Sequence, residues 1–124
     1  MASYELAVSC HFNAAHFLRH YEGKCKRLHG HSYEVTAVFG GETLDEAGML
    51  VDFGIARGWL AEVVDRFDHT LLNDMPEFEV LNPTAENLAK ILFEALAARM
   101  DSPSVALLSL SVAENPGSTA LYRG

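Results

Sequence analysis

Positive charge is scarce in this chain. Nine Lys and Arg stand against seventeen Asp and Glu in 124 residues, a formal net charge of −8. Sequence-independent binding to DNA or RNA needs a basic surface that displaces counterions, so nucleic acid is not an expected partner. A small anionic substrate remains compatible, because a few cations can gather in one pocket while the rest of the surface stays acidic. Long apolar runs are also missing, and none approaches the ~20 residues of a membrane helix. The first twelve residues hold no basic stretch followed by an apolar one, so no signal peptide is read and a cytoplasmic location is expected. Cysteine is limited to Cys10 and Cys25, and both are read as free thiols. Repeats and low-complexity segments are absent too.

What is present is an ordinary globular composition, 49% hydrophobic and 21% charged, in one domain spanning residues 1–124. A chain this long can bury roughly two-thirds of its unfolded surface. Residues 4–12 alternate, with Tyr4, Leu6, Val8, Cys10 and Phe12 on one side, and predict a half-buried strand that puts Cys10 in the core. Residues 13–28 predict a long, functional excursion. Residues 29–39 read as a second strand ended by Gly40-Gly41.

Asp52 is a plausible N-cap for a helix whose apolar stripe is Phe53, Ala56, Leu60, Val63, Val64 and Phe67, weakened by Gly54 and Gly58. Thr84 caps a second helix with the stripe Leu88, Ile91, Leu92, Ala95 and Leu96. Residues 105–114 and 118–123 form a final hairpin around Pro116-Gly117. The order β-β-α-α-β-β predicts an α+β fold, a four-stranded antiparallel sheet with both helices on one face. Its two open edges predict self-association.

Histidine is over-supplied: five of six lie between His11 and His31. On a strand, His29 and His31 face the same way and can present two imidazoles to one ion, with Gly30 leaving room for close approach. Imidazole suits zinc, and a catalytic zinc keeps three protein ligands and one open position. His16, directly after the first strand, is chosen as third ligand, with His11 and His20 as competitors. The alternative is a solvated surface pair.

Cys25, four residues before His29, is a fourth zinc ligand, a thiolate activated by the ion and by Lys24 and Lys26, or an inert small hydrophobe; spacing does not separate the first two. Asp68-His69 is an acid/base pair or a helix C-terminus carrying a cation. Glu114 continues the face of Leu108, Leu110 and Val112, as a solvent-edge group or a buried anchor for paired N–H donors. Lys24, Lys26, Arg27 and Arg123 are candidate phosphate contacts.

Several stretches together resemble the 6-pyruvoyl-tetrahydropterin synthase superfamily. They are Phe12-Asn13-Ala14-Ala15-His16, Lys24-Cys25-Lys26-Arg27-Leu28-His29-Gly30-His31-Ser32-Tyr33, Met49-Leu50-Val51-Asp52-Phe53, Asp68 to Asp74, Asn82 to Asn87, and Glu114. The short gap between Cys25 and His29 is similar to that of the bacterial 6-carboxy-tetrahydropterin synthases (QueD). The resemblance implies a tunnelling fold, whose subunits join their sheets into a barrel as trimers or hexamers with active sites at subunit interfaces. It also implies Zn2+ on His16, His29 and His31, Cys25 as proton acceptor, and Asp68 with His69 as acid/base relay. Glu114 would anchor the pterin, with Thr84 near it. The implied reaction converts dihydroneopterin triphosphate to 6-carboxy-tetrahydropterin, releasing triphosphate and acetaldehyde. Rival expectations are a pyruvoyl or folate-precursor product on the same fold, a non-catalytic module with a structural zinc on one cysteine and three histidines, and a pterin binder without turnover.

Overall fold

The computed structural model describes residues 3–124. Strand β1 (Tyr4–His16) leads through a loop into β2 (His29–Gly41), then α1 (Phe53–Asp65), a two-residue β3 (Thr70–Leu71), α2 (Ala85–Arg99), β4 (Ala106–Asn115) and β5 (Ser118–Tyr122). One sheet has the order β3-β1-β2-β4-β5. All neighbours are antiparallel except β3, which runs parallel to β1 at Ala14 and Ala15. The sheet is therefore five-stranded and mixed, where four antiparallel strands were expected. Two residues are too short a run for any periodicity to announce.

The expected excursion begins later than residue 13. Strand β1 continues to His16, and the ladder with β2 runs unbroken from Tyr4↔Gly41 to His16↔His29. Its inward parity simply carries on: Phe12, Ala14 and His16 are all buried. Across the ladder the buried side chains of β2 are those of Tyr33, Val35, Ala37 and Phe39, with Phe12 stacked on Tyr33 at 4.8 Å. Such pairs add ~0.5–1.5 kcal/mol beyond burial.

Helix α1 packs on β1, α2 on β4 and β5, and the two helices touch each other. Asp52 caps α1 by accepting from the Ile55 amide at 3.1 Å, and Thr84 caps α2 by accepting from the Asn87 amide at 3.1 Å. The buried stripes differ from the expected ones. In α1, Trp59 enters the core and Phe53 lies 58% exposed; in α2, Phe93 and Ala89 are buried while Ala95 is exposed. A stripe counted from its first apolar residue drifts when that residue belongs to the entry turn, as Phe53 does.

Strand β4 holds a second departure. Val38 pairs with Ser109 and Phe39 with Leu107, so Leu108 is the extra residue of a bulge. It lies over Gly40 on the outer side, 37% exposed, and does not share the face of Leu110 and Val112. A bulge reverses which side the preceding residues present. Beyond β3, the outer edge of β1 is unpaired among the described residues, as is that of β5. Among the described residues no helix is long and apolar enough to cross a membrane.

Two glycines divide on space. A Cβ on Gly58, inside α1, would meet nothing within 4 Å, whereas one on Gly41 would come within 2.8 Å of the Ser104 carbonyl. Gly58→Ala is expected to raise Tm by about 2–5 °C, and Gly41→Ala to lower it, in thermal unfolding monitored by circular dichroism.

Candidate metal centre and its neighbours

Three imidazoles meet at the end of the β1–β2 ladder. His16 is the last inward residue of β1, and His29 and His31 are the first inward residues of β2, so strand parity alone brings them to one face. One nitrogen from each lies within 4.8 Å of the others. His16 is buried, and the other two are half-buried.

The outward nitrogens are already committed. His16 Nδ1 donates to the Pro83 carbonyl at 2.7 Å, and His29 Nδ1 to the Arg27 carbonyl at 2.6 Å. A carbonyl only accepts, so both Nδ1 atoms carry the proton and both Nε2 atoms present lone pairs. Those two Nε2 atoms face each other at 3.0 Å. His31 Nε2 is buried without a hydrogen-bond partner, and the Glu114 carboxylate stands 3.6 Å away. Converging lone pairs and an orphaned nitrogen are what a cation would satisfy. Nitrogens bound tetrahedrally at ~2.0–2.1 Å would be ~3.3 Å apart, close to the 3.0 Å between the His16 and His29 Nε2 atoms. The donor set fits a metal ion.

Burial pushes the His16 imidazole below its ordinary pKa, partly opposed by the Pro83 carbonyl. Burial lowers His31 likewise, opposed by Glu114. Both shifts favour the neutral imidazole that a metal requires. Tyr33, whose hydroxyl lies 3.2 Å from His16 Nδ1, has its phenol pushed well up by burial and then by the Glu114 carboxylate. Tyr33 was missed as a support for the ligands, although it lies two residues beyond His31 on the same face. The Pro83 carbonyl had no signal in the sequence.

The competitors fall away. His11 is on the opposite face, 3.3 Å from Glu34, and His20 sits in the loop with φ 57°. Cys25 occupies a short helical turn, Lys24–Lys26, and is not part of the ligand group among the described residues. Lys24, Lys26, Arg27 and Arg123 are exposed. The room expected at Gly30 is not demanded sterically, since a Cβ there would meet only the Ala14 carbonyl at 3.6 Å. Thr84 spends its hydroxyl on capping α2, one residue after the carbonyl that holds His16.

Asp68 and His69 follow α1 and reach the same end of the sheet. Asp68 Oδ1 accepts from the Asn13 amide at 2.8 Å and Oδ2 contacts His69 Nδ1 at 2.9 Å. The Asn13 amide, then His69, hold this carboxyl below the usual carboxylate range. The His69 amide donates to the Asn13 carbonyl at 2.5 Å, which keeps His69 in the left-handed region at φ 58°. A non-glycine residue held there is uncommon and clusters at functional sites. His69 and His31 both border one shallow cleft, with Asn13, Gly30, Ser32 and Thr70.

An α+β sheet ending in three convergent imidazoles, with the Asp68–His69 pair at the same end, has the geometry of a metal-binding protein. The comparisons narrow this. The family profile described as 6-pyruvoyl tetrahydropterin synthase matches residues 5–124, and the chain belongs to that family. It is 36% identical to the 6-carboxy-5,6,7,8-tetrahydropterin synthase of Bacillus subtilis, over 98% of this chain and 86% of that protein. It is 38% identical to the Synechocystis enzyme of the same name, over 90% and 86%. The solved 6-pyruvoyl tetrahydropterin synthase of Caenorhabditis elegans superposes with a TM-score of 0.90 at 29% identity, covering 100% of this chain and 97% of that one.

The cysteines give a direct check. Burial pushes the Cys10 thiol up to about 11. At pH 8 only about one Cys10 in a thousand is then ionised. Iodoacetamide at pH 8 is expected to label Cys25 in the folded protein and to reach Cys10 only in denaturant, as read by peptide mass mapping.

Proposed function

We propose that this chain is a zinc-dependent 6-carboxy-tetrahydropterin synthase. It converts 7,8-dihydroneopterin triphosphate to 6-carboxy-5,6,7,8-tetrahydropterin, releases triphosphate and acetaldehyde, and serves the queuosine and 7-deazaguanine route in the cytoplasm. The observation carrying this reading is the convergence of three imidazoles, two with Nε2 lone pairs facing each other and the third with Nε2 buried and unpartnered, with Cys25 outside that set. Relatives bearing this name support the choice of product.

His16, His29 and His31 would hold the ion. When bound, zinc supplies Lewis-acid polarisation of substrate oxygens, which acidifies the neighbouring carbon–hydrogen bonds. Cys25, as thiolate, removes such a proton, and its position outside the ligand set keeps it free to do so. His69 carries a second proton, and Asp68 fixes its Nδ1 so that Nε2 faces the exchange. Glu114 accepts hydrogen bonds from the paired N–H groups of the pterin. Thr84 lies near the pterin in this scheme. The unpaired edges of β1 and β5 support assembly into a homo-oligomer, a trimer or hexamer, in which neighbouring subunits complete each site.

A second reading, the 6-pyruvoyl product, is favoured by the near-complete overlay on the C. elegans enzyme of that name. Incubation with dihydroneopterin triphosphate, followed by mass spectrometry and an acetaldehyde assay, separates the two. The carboxy product with acetaldehyde is expected; a pyruvoyl product without acetaldehyde would replace the proposal. Cys25→Ala is expected to stay folded with one zinc per chain while turnover falls about 10²-fold or more. Loss of both zinc and fold in that variant would favour a structural zinc closed by sulfur. His16→Ala, His29→Ala or His31→Ala is each expected to lower zinc content measured by atomic emission after dialysis.

A further inference from the structure

The loop that carries Cys25 has no fully buried residue, and its apolar Phe17 and Leu18 are only half-buried. With so little packing, its placement rests largely on hydrogen bonds. Those bonds follow a pattern. Asn73 Oδ1 accepts from the Phe17 amide at 2.9 Å, and its Nδ2 donates to the Phe17 carbonyl at 3.0 Å. Two residues on, Asn82 Oδ1 accepts from the Arg19 amide at 2.8 Å, and its Nδ2 donates to the Arg19 carbonyl at 2.9 Å. A side-chain amide offers the same donor and acceptor as a peptide group. Exchanging both bonds with one residue is what a hydrogen-bonded pair does in an antiparallel ladder.

Leu18, between them, turns the other way. Its amide donates to the Cys25 carbonyl at 2.8 Å. Residues 17–19, just past the end of β1, therefore bond as a strand would, with two asparagine side chains standing in for a partner strand on one edge. The backbone of Cys25 lies on the other.

Asn82 is itself braced. Its carbonyl accepts from Asn87 Nδ2 at 2.8 Å, and the next carbonyl, that of Pro83, takes the His16 Nδ1 proton. One short segment thus contacts a metal ligand and the backing of Cys25.

We propose that Asn73 and Asn82 are positioning residues that hold the Cys25 loop in register with the three histidines, Asn82 being the link between the two. The proposal rests on the reading of Cys25 as base. Neither amide touches the substrate in this role; both act by fixing where the thiol stands.

The test uses the full-length, zinc-loaded protein with Asn82→Ala and Asn82→Asp. Aspartate keeps the acceptor for the Arg19 amide and loses the donor to its carbonyl, so it should fall between wild type and alanine. Zinc stoichiometry should stay at one per chain. In Asn82→Ala, kcat should fall about tenfold or more with KM changed less than about threefold. Exchange of the Leu18 amide should accelerate about tenfold or more. The iodoacetamide rate at Cys25 should change while that at Cys10 does not.

Unchanged Leu18 exchange overturns the proposal, and so does an unchanged kcat with accelerated exchange. If Asn82→Ala fails to fold, Asn82→Asp and Asn73→Asp carry the same readings. If wild type yields no pterin product, the enzyme reading fails by itself. Leu18 exchange and Cys25 labelling then still decide whether the asparagines hold the thiol.

Discussion

The site depends on one electrostatic constraint, the meeting of imidazole lone pairs in a partly dry corner. Two backbone carbonyls take the Nδ1 protons of His16 and His29 and so aim both Nε2 lone pairs inward. Without a cation, that arrangement sets two acceptors 3.0 Å apart and strands a third nitrogen in the interior. Buried polar atoms without partners are costly. The fold can hold them so because the strands that carry them are locked along thirteen paired positions and backed by Phe12 and Tyr33. Stability generated in the core is thus drawn on at the sheet end, where a metal would recover it.

Around that corner, the supporting groups come from segments distant in sequence. Pro83, at the entry to α2, holds His16; Glu114, near the end of β4, approaches His31; Asp68 and His69, after α1, are tied to Asn13. Two of these segments are fixed by local devices, the Thr84 cap and the left-handed turn at His69. The thiol is the exception. Cys25 sits on a loop without buried residues, and its attachment to the rest is a matter of amide hydrogen bonds. The ligand set is fixed by the core, the thiol by hydrogen bonds, and the Asn82–Pro83 segment touches both.

The parts legible in the sequence were those governed by short periods. Alternation announced β1 and β2, and the H-x-H spacing announced the shared face of His29 and His31. Following the same parity past Phe12 to Ala14 and His16 would have carried β1 to its true end. Their modest hydrophobicity hid it. Glu114 was assigned to the inner face with Leu110 and Val112, yet Leu108 was grouped with them wrongly, because a bulge changes parity without changing composition. The two-residue β3, the Pro83 carbonyl and the asparagine side chains that replace a strand partner leave no periodic trace. They are contacts between segments more than fifty residues apart, and only the folded chain reveals them.

The central claim concerns the coordination shell, so X-ray absorption at the zinc edge of the loaded protein tests it most directly. Three nitrogen ligands at ~2.0–2.1 Å, completed by oxygen and with no sulfur, is the shell predicted here. A sulfur scatterer at ~2.3 Å would make Cys25 a ligand and contradict the account.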